Sequence, residues 1–278
     1  MSWNVIKKNM DDLPRAQKKI ALFMLENQAT SIFMTAAELG EQASASETSA
    51  IRLACTLGYE NFPDFLKDLR EEASDQLSTL QRLRSHRNRQ ASDSLVSSVI
   101  NTELAQYEQT GAPASNDAEI NRLAQEICAA QAVYIIGLRS TRSLAVYLEF
   151  YLSWFFPRVF VPNIENIDNY FTAAPKESLV IAMSFPRYTR RTVELLSFAR
   201  KLGLKTAAIT DAPSSPLVKK ADISVFAPCA HIAHIDSLFI PMGLINTLLL
   251  RVSDELGPQA LERLEHLESY WEKSSIYF

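Results

Sequence analysis

Residues 35–59 read TAAELGEQASASETSAIRLACTLGY, and their spacing predicts two short helices joined by a turn. Ala36, Ala37 and Leu39 form one apolar face and Ile51, Leu53, Ala54 and Leu57 another, both at helical period. The second helix has marked ends. Ser46 can accept from the free amides of the first turn, Glu47 suits the positive end of the helix dipole, and Gly58 supplies a stop. A helix-turn-helix enters the DNA major groove by the N-terminal residues of its second helix. Thr48, Ser49 and Arg52 are therefore the candidate DNA contacts, with Arg52 placed to reach phosphate; Ser46 joins them chiefly as a cap. Ile51, Leu53 and Leu57 are expected to face the core. A plain pair of packing helices would show the same periodicity, so the motif needs support from the rest of the chain.

Working outward, residues 13–33 place Leu13, Ile20, Phe23, Met24, Ile32 and Phe33 on one amphipathic helix beneath the pair, with Pro14 near its first turn. Phe62, Phe65, Leu66 and Leu69 return to helical spacing after Gly58 and close an N-terminal domain near residue 77. Residues 78–110 are polar and weakly periodic through Leu80, Leu83, Leu95, Val96, Val99, Ile100 and Leu104, which predicts a connecting helix interrupted near Arg89. Its basic run Arg82, Arg84, His86, Arg87 and Arg89 could approach DNA phosphates or simply form a solvated face. Gly111, Ala112 and Pro113 mark a boundary.

From residue 119 helices alternate with short β-rich runs, the pattern of a parallel sheet covered on both faces. The expected strands are Val133–Ile136, Val159–Val161, Leu179–Met183, Thr206–Ile209 and Ile223–Phe226. The expected helices cover 119–130, 141–155, 188–202 and 236–254, with a short turn near 215–220. Ligands of such a sheet bind at the carboxyl ends of its strands.

With 278 residues and 47% hydrophobic content, the chain can bury a large core in one or two domains. No apolar run reaches the ~20 residues that span a bilayer, so no membrane partner is expected and a cytoplasmic location is. The cysteines Cys55, Cys128 and Cys229 lie in apolar contexts without C-x-x-C spacing and read as buried thiols; no metal and no cofactor are expected. A net charge of −4 argues against bulk nucleic-acid coating but leaves room for one local DNA-reading face.

Two strand-to-helix turns carry the chemistry: Gly137-Leu138-Arg139-Ser140-Thr141-Arg142 and Ser184-Phe185-Pro186-Arg187-Tyr188-Thr189-Arg190-Arg191. Free amides at a helix N-terminus, with Ser and Thr hydroxyls, make a site for phosphate or carboxylate. Arg142, Arg190 and Arg191 fall in or beside first helical turns, where a cation opposes the dipole at a cost of roughly 0.3–1 kcal/mol each. A bound anion would offset that cost, and guanidinium grips phosphate or carboxylate bidentately. The candidate effector contacts are Arg139, Ser140, Thr141, Ser184, Arg187, Tyr188 and Thr189.

LPRAQKKIALFMLEN, the 35–59 stretch, NFPDFLKDLRE, VYIIGLRSTRSLA, IAMSFPRYTRRTVELLSFARKLGLKTAAITD, the Ser215-Pro216-Leu217 step and the Asp236-Ser237 pair occur in the order and spacing of one family. Over almost its whole length the chain resembles the RpiR/MurR transcriptional regulators, a helix-turn-helix joined to a sugar isomerase (SIS) domain. The resemblance implies a mainly α N-terminal helix-turn-helix domain at 1–77, a helical linker at 78–115, and an α/β SIS domain at 116–278. That last domain would be an αβα sandwich on a five-stranded parallel sheet. It also implies phosphosugar binding between a G-x-G-x-S loop and an S-x-S-G-x-T loop. Gly137 and Thr141 match the ends of the first, Ser184 and Thr189 those of the second. Arg139 stands where the first loop has its second glycine, Arg187 where the second has its glycine, and Pro186 where a serine is usual.

The function so implied is a DNA-binding regulator, a repressor, of carbohydrate metabolism. Its partners would be operator DNA and a phosphosugar or related anionic effector, and two recognition helices require a homodimer or homotetramer. The alternative is an aldose–ketose isomerase, which needs a base near neutral pKa; Glu165, His231, His234 and Asp236 are the candidates.

Overall fold

The computed structural model describes residues 2–32, 34–73, 79–87, 94–110, 116–229 and 231–277. They form two compact units, one built on Met1–Ser92 and the other on Asp93–Ile232 and Asp236–Phe278.

The first unit is all helical: α1 (Ser2–Asn9), α2 (Arg15–Glu26), α3 (Gln28–Ser31), α4 (Ala36–Gln42), α5 (Glu47–Thr56), α6 (Phe62–Ala73) and α7 (Thr79–Arg87). Helices α4 and α5 are the predicted pair, and each start is closed by its own side chains. Thr35 Oγ1 accepts from the Glu38 amide at 3.2 Å, while the Thr35 amide donates to Glu38 Oε2 at 2.6 Å, a reciprocal capping box. The backbone and hydroxyl donors of Thr35 hold the Glu38 carboxyl below its ordinary range. At α5 the Ser46 Oγ accepts from the Ser49 amide at 3.2 Å, as the sequence predicts. Between the helices the chain turns through Ser44 at φ 50°. Gly40 has no room for a side chain, because a Cβ there would lie 2.8 Å from both the Glu47 nitrogen and the Ser46 carbonyl carbon.

The core of this unit joins Ile6, Ile20, Met24, Leu39, Leu53, Phe65 and Leu69. Helix α1 is an unanticipated part of it, with Trp3 and Ile6 buried; its single i,i+3 apolar pair is too short a pattern to read. The predicted helix at 13–33 is broken after Glu26, and Phe33 lies outside the described residues. Two faces need correction. Helix α5 turns Ala50, Leu53 and Ala54 inward, leaving Ile51 42% exposed instead of in the core, while Leu57 is half-buried against it. The small Ala50 lets the helices close up on that side, and Ile51 is carried about 100° away from it. Ala37 is likewise exposed, since Ala36, Leu39 and Gly40 face inward. Cys55 is exposed rather than buried; Cys128 is half-buried and Cys229 buried. Burial, with the charge of Glu255, pushes the Cys128 thiol up to about 11. In α7, Arg82 is buried rather than directed at solvent, and Arg89 and the expected break beside it lie outside the described residues.

The second unit contains α8 (Leu95–Thr110) and α9 (Asp117–Ala129), followed by β1 (Ala132–Gly137), α10 (Arg142–Leu152), β2 (Val159–Phe160), α11 (Ile167–Thr172), β3 (Ser178–Met183), α12 (Arg190–Lys201), β4 (Lys205–Thr210) and β5 (Ile223–Phe226). It ends with α13 (Phe239–Leu256) and α14 (Pro258–Lys273). The five strands are parallel in the order β2-β1-β3-β4-β5. Alternate side chains sort onto two covered faces. Val133, Ile135, Leu179 and Ile181 pack with Leu123, Leu148 and Leu248; Tyr134, Ile136, Val180 and Ala182 pack with Phe171, Leu195 and Leu196. Every residue of β1 and β3 is buried, which explains why their sequences are unbroken apolar runs. The last long helix starts at Phe239, not at 236, because Ile235–Asp236 instead form a two-stranded ribbon with His231–Ile232. Among the described residues no helix is long and apolar enough to cross a membrane.

Gly40→Ala is expected to destabilise the first unit by about 1–3 kcal/mol, an overpacking cost that exceeds the ~1 kcal/mol alanine gains in helix propensity. Urea unfolding of the purified variant checks it; unchanged stability would show that the α4–α5 approach is not tight.

Candidate functional site

The strand order reverses around β1, and sheets of this kind take ligands outside the carboxyl ends of the strands at such a switch point. Gly137 and Met183 are register partners, so the two hydroxyl-rich turns leave the sheet side by side. The first turn is drawn tight against α10: a Cβ on Gly137 would lie 2.4 Å from the Thr141 carbonyl oxygen and 2.8 Å from Ala145 Cβ. Only glycine fits. Thr141 is buried, and its hydroxyl lies 2.8 Å from the Leu138 carbonyl oxygen and 3.2 Å from that of Met183. One side chain thus ties the first turn to the end of β3.

The second turn is fixed from within. Ser184 Oγ accepts from the Thr189 amide at 3.1 Å, and the Ser184 carbonyl accepts from Thr210 Oγ1 at 2.7 Å. Thr210 Oγ1 in turn lies 2.7 Å from the buried Ser215 Oγ. Tyr188 donates its hydroxyl to Asp211 Oδ1 at 2.8 Å. Neither α10 nor α12 has a side chain capping its start; the Arg142 amide donates to the carbonyls of Arg139 and Ser140, and the Thr192 and Val193 amides to that of Thr189.

Arg139 and Arg187 are exposed and occupy left-handed backbone, at φ 58° and 66°. That conformation is glycine's; for a residue with a Cβ it costs roughly 1–2 kcal/mol. These are the two positions where the resemblance places glycine, so the substitution retains the backbone path and adds a guanidinium. Ser140 is exposed and donates to Asp236 Oδ2 at 3.0 Å. Arg142 and Arg190 are exposed, whereas Arg191 lies 3.5 Å from Asp168 and 3.9 Å from Glu194. Arg191 thus has two carboxylate neighbours on the helix surface.

Of the proposed bases, Asp236 reaches the first turn and His231 joins it, with Nδ1 3.2 Å from Asp236 Oδ1. Glu165 and His234 are exposed. Sequence reasoning missed Asp211 and Glu103. Glu103, on α8, is buried, and Ser237 Oγ donates to it at 2.6 Å from both carboxylate oxygens. Its neighbours Val96, Ile100, Leu104 and Tyr107 are exposed. A helix that buries its acid and exposes its apolar residues inverts the usual signal, which is why periodicity pointed elsewhere. Leu104 and Tyr107 of α8 border a groove of about 830 Å³ with Ile120, Phe239, Gly243 and Thr247.

In the DNA-facing candidates, Ser46, Thr48 and Arg52 are exposed and Ser49 is half-buried, its Oγ 2.9 Å from Ser46 Oγ. Ser46 and Ser49 are thereby occupied in the cap; Thr48 and Arg52 share the open face of α5.

Comparison with known proteins matches both units. The helix-turn-helix domain of the rpiR family matches residues 2–76 and the SIS domain residues 126–251. An uncharacterized HTH-type transcriptional regulator of Bacillus subtilis, YbbH, is 24% identical over 97% of this chain and 94% of its own. Another uncharacterized HTH-type regulator, from Caldanaerobacter subterraneus, is 24% identical over 80% of this chain and 78% of its own. Among solved structures, the Vibrio vulnificus NanR protein complexed with ManNAc-6P superposes with a TM-score of 0.58 at 14% identity, covering 98% of each chain. The sugar isomerase domain of an RpiR transcription factor from Sphaerobacter thermophilus does so with 0.57 at 24% identity, covering 64% of this chain and 99% of that one. The folds are shared.

Arg139→Gly and Arg187→Gly are expected to leave stability unchanged or raise it by up to ~1 kcal/mol, because relief of the left-handed backbone opposes the entropy glycine adds to the unfolded chain. Arg187→Val should instead lower the melting temperature. Equal melting temperatures for Gly and Val at position 187 would refute the strain.

Proposed function

We propose that this chain, which belongs to the rpiR helix-turn-helix family and carries a SIS domain, is a transcriptional regulator. Its second unit binds a phosphosugar or related anionic metabolite, and that binding changes the DNA affinity of the first. In its finer form the proposal is a repressor of genes for carbohydrate metabolism. The observation that carries it is one chain holding both a helix-turn-helix whose α5 presents Thr48 and Arg52 outward and a sheet switch point where two hydroxyl-rich turns, each leading to a helix start without a side-chain cap, leave side by side. The names of the B. subtilis and C. subterraneus relatives and the ligand captured by the Vibrio protein support the same pairing.

In this reading the domains run 1–77, 78–115 and 116–278. The anion lies against the starts of α10 and α12, with Ser140, Ser184 and Thr189 beside it. Arg139 and Arg187 supply the charge, Thr141 holds the two turns together, and Tyr188 is fixed on Asp211. Coupling is a matter of linkage: the effector shifts the DNA-competent population only by its difference in affinity between the two states. The route we assign runs from Ser140 to Asp236, through the adjoining Ser237 to Glu103, and so into α8. DNA reading needs paired recognition helices about 34 Å apart, hence a homodimer or homotetramer. The exposed Val96, Ile100 and Leu104 give α8 an apolar face suited to such an assembly.

One observation favours the isomerase: the His231–Asp236 pair beside Ser140 could move a proton between adjacent carbons. A regulator makes use of the capped α5; a dedicated isomerase does not.

The regulator reading expects a salt-dependent preference of at least tenfold for duplex from around its own gene over random duplex, and no turnover of sugar phosphates. Gel-shift titration and a coupled isomerase assay read the two; loss of the preference, or turnover at ordinary enzyme rates, would overturn it. In a thermal-shift screen over phosphorylated sugars, stabilisation should fall in Arg187→Ala and Arg139→Ala while gel-shift affinity persists. If either variant instead lost DNA binding while folded, the site would be misplaced.

A further inference from the structure

Helix α5 buries Ala50, Leu53 and Ala54 and exposes Thr48, Ile51, Arg52 and Cys55. The exposed set follows i, i+3, i+4, i+7 and so forms a single face. At one edge of that face, beside the exposed Glu47, stands Ile51, 42% exposed. A β-branched side chain gains nothing there in helix propensity, and the core of the first unit does not use it. Its neighbours are those of a base-reading surface: the Thr48 hydroxyl can donate or accept, and the Arg52 guanidinium can reach a base edge or phosphate. Cys55 follows one turn later. All but Cys55 lie within the first turn and a half of α5, the part of a second helix that meets base edges.

Bases present one apolar group in the major groove, the C5-methyl of thymine. We infer that Ile51 is a specificity-determining residue that selects thymine in the operator through contact with that methyl group. The inference rests on the DNA-binding reading above and adds the base and the group that is read. A hydroxyl or guanidinium at position 51 would be drawn to the hydrogen-bonding edges of other bases; an isobutyl-sized aliphatic surface leaves those edges unsatisfied and loses affinity there. Ile51 therefore both rewards thymine and penalises its replacement.

The test uses the full-length protein and a duplex that it selects itself from a random-sequence pool. Each thymine in the selected site is replaced singly by deoxyuridine, which removes the methyl and keeps Watson–Crick pairing. At one thymine per half-site, affinity should fall about fourfold, equivalent to the ~0.8 kcal/mol of one buried methylene-sized group. Ile51→Ala should lose a similar or larger factor on the thymine duplex and then show no further loss with deoxyuridine, while Ile51→Val keeps the discrimination. Because Ile51 is exposed, the melting temperatures of the variants should match the parent's. Insensitivity to deoxyuridine at every position would overturn the inference, as would an Ile51→Ala protein that still discriminates fourfold. If the protein enriches no sequence at all, the DNA-binding reading itself falls.

Discussion

An α-helix leaves its first amides without acceptors, and this chain meets that constraint in two ways. In the first unit the starts of α4 and α5 are closed by Thr35 with Glu38 and by Ser46 with Ser49, so the helices are complete in themselves. In the second unit α10 and α12 start from the ends of buried strands with no side-chain cap. The hydroxyls that could have capped them are used to brace the turns: Thr141 spans to Met183, and Ser184 fixes the Thr189 amide. Closed starts make a rigid element that presents its outer face. The starts of α10 and α12 are instead held in place by bracing from behind, and in the proposed reading an anion lies against them.

The arginines in the two turns follow from the same bracing. Gly137 cannot change, because the α10 backbone occupies the space a Cβ would need. Arg139 and Arg187 face solvent, so the only obstacle to a side chain there is the left-handed backbone itself. In the proposed reading the interaction of a guanidinium with the bound anion offsets that cost. A turn can therefore give up one glycine and retain another within three residues. In the proposed reading the exchange moves recognition from bare amides toward longer side chains that can follow an anion lying further out.

The sheet was open to sequence reading because β1 and β3 are buried along their whole length, and complete burial writes itself as a run without polar interruptions. Helix starts were readable where a cap is local, as at Ser46. What escaped depends on partners distant in sequence. Ile51 and Ala50 are adjacent and both apolar; only the approach of α5 to its neighbours decides which turns inward. Helices α1, α11 and α14 lack enough turns or a closed apolar face to be marked by period alone: α14 buries only Ala260. Glu103 is the extreme case, since its burial is set by Ser237, 134 residues away, and nothing near it in the chain distinguishes it from the exposed Glu108. At the site, residue types were legible and roles were not. Thr141 and Ser184 read as ligand groups, yet their hydroxyls also carry the turns, and Arg191 is drawn to Asp168.

The Glu103–Ser237 contact bears on how an effector could act at all. A buried carboxylate is costly unless its acceptors are used, and here one hydroxyl serves both oxygens while the Phe239 amide donates to that same hydroxyl oxygen at 3.3 Å. Ser237 follows Asp236, whose carboxylate already accepts from Ser140 and lies against His231. In the proposed reading an anion beside Ser140 would be repelled by Asp236, so that either Ser140 turns toward it or the 231–237 segment shifts. The first response ends at the site. The second moves Ser237 and withdraws the only described donor to Glu103, and a buried charge so stripped must regain water or a new partner, which α8 can supply only by moving. The energy available to reposition α8 is then bounded by the cost of leaving Glu103 unsatisfied, at least about 1–3 kcal/mol and more for a charged group. Ordinary allosteric coupling is of that order, so in the proposed reading one buried hydrogen bond couples the arrival of an anion to the position of α8.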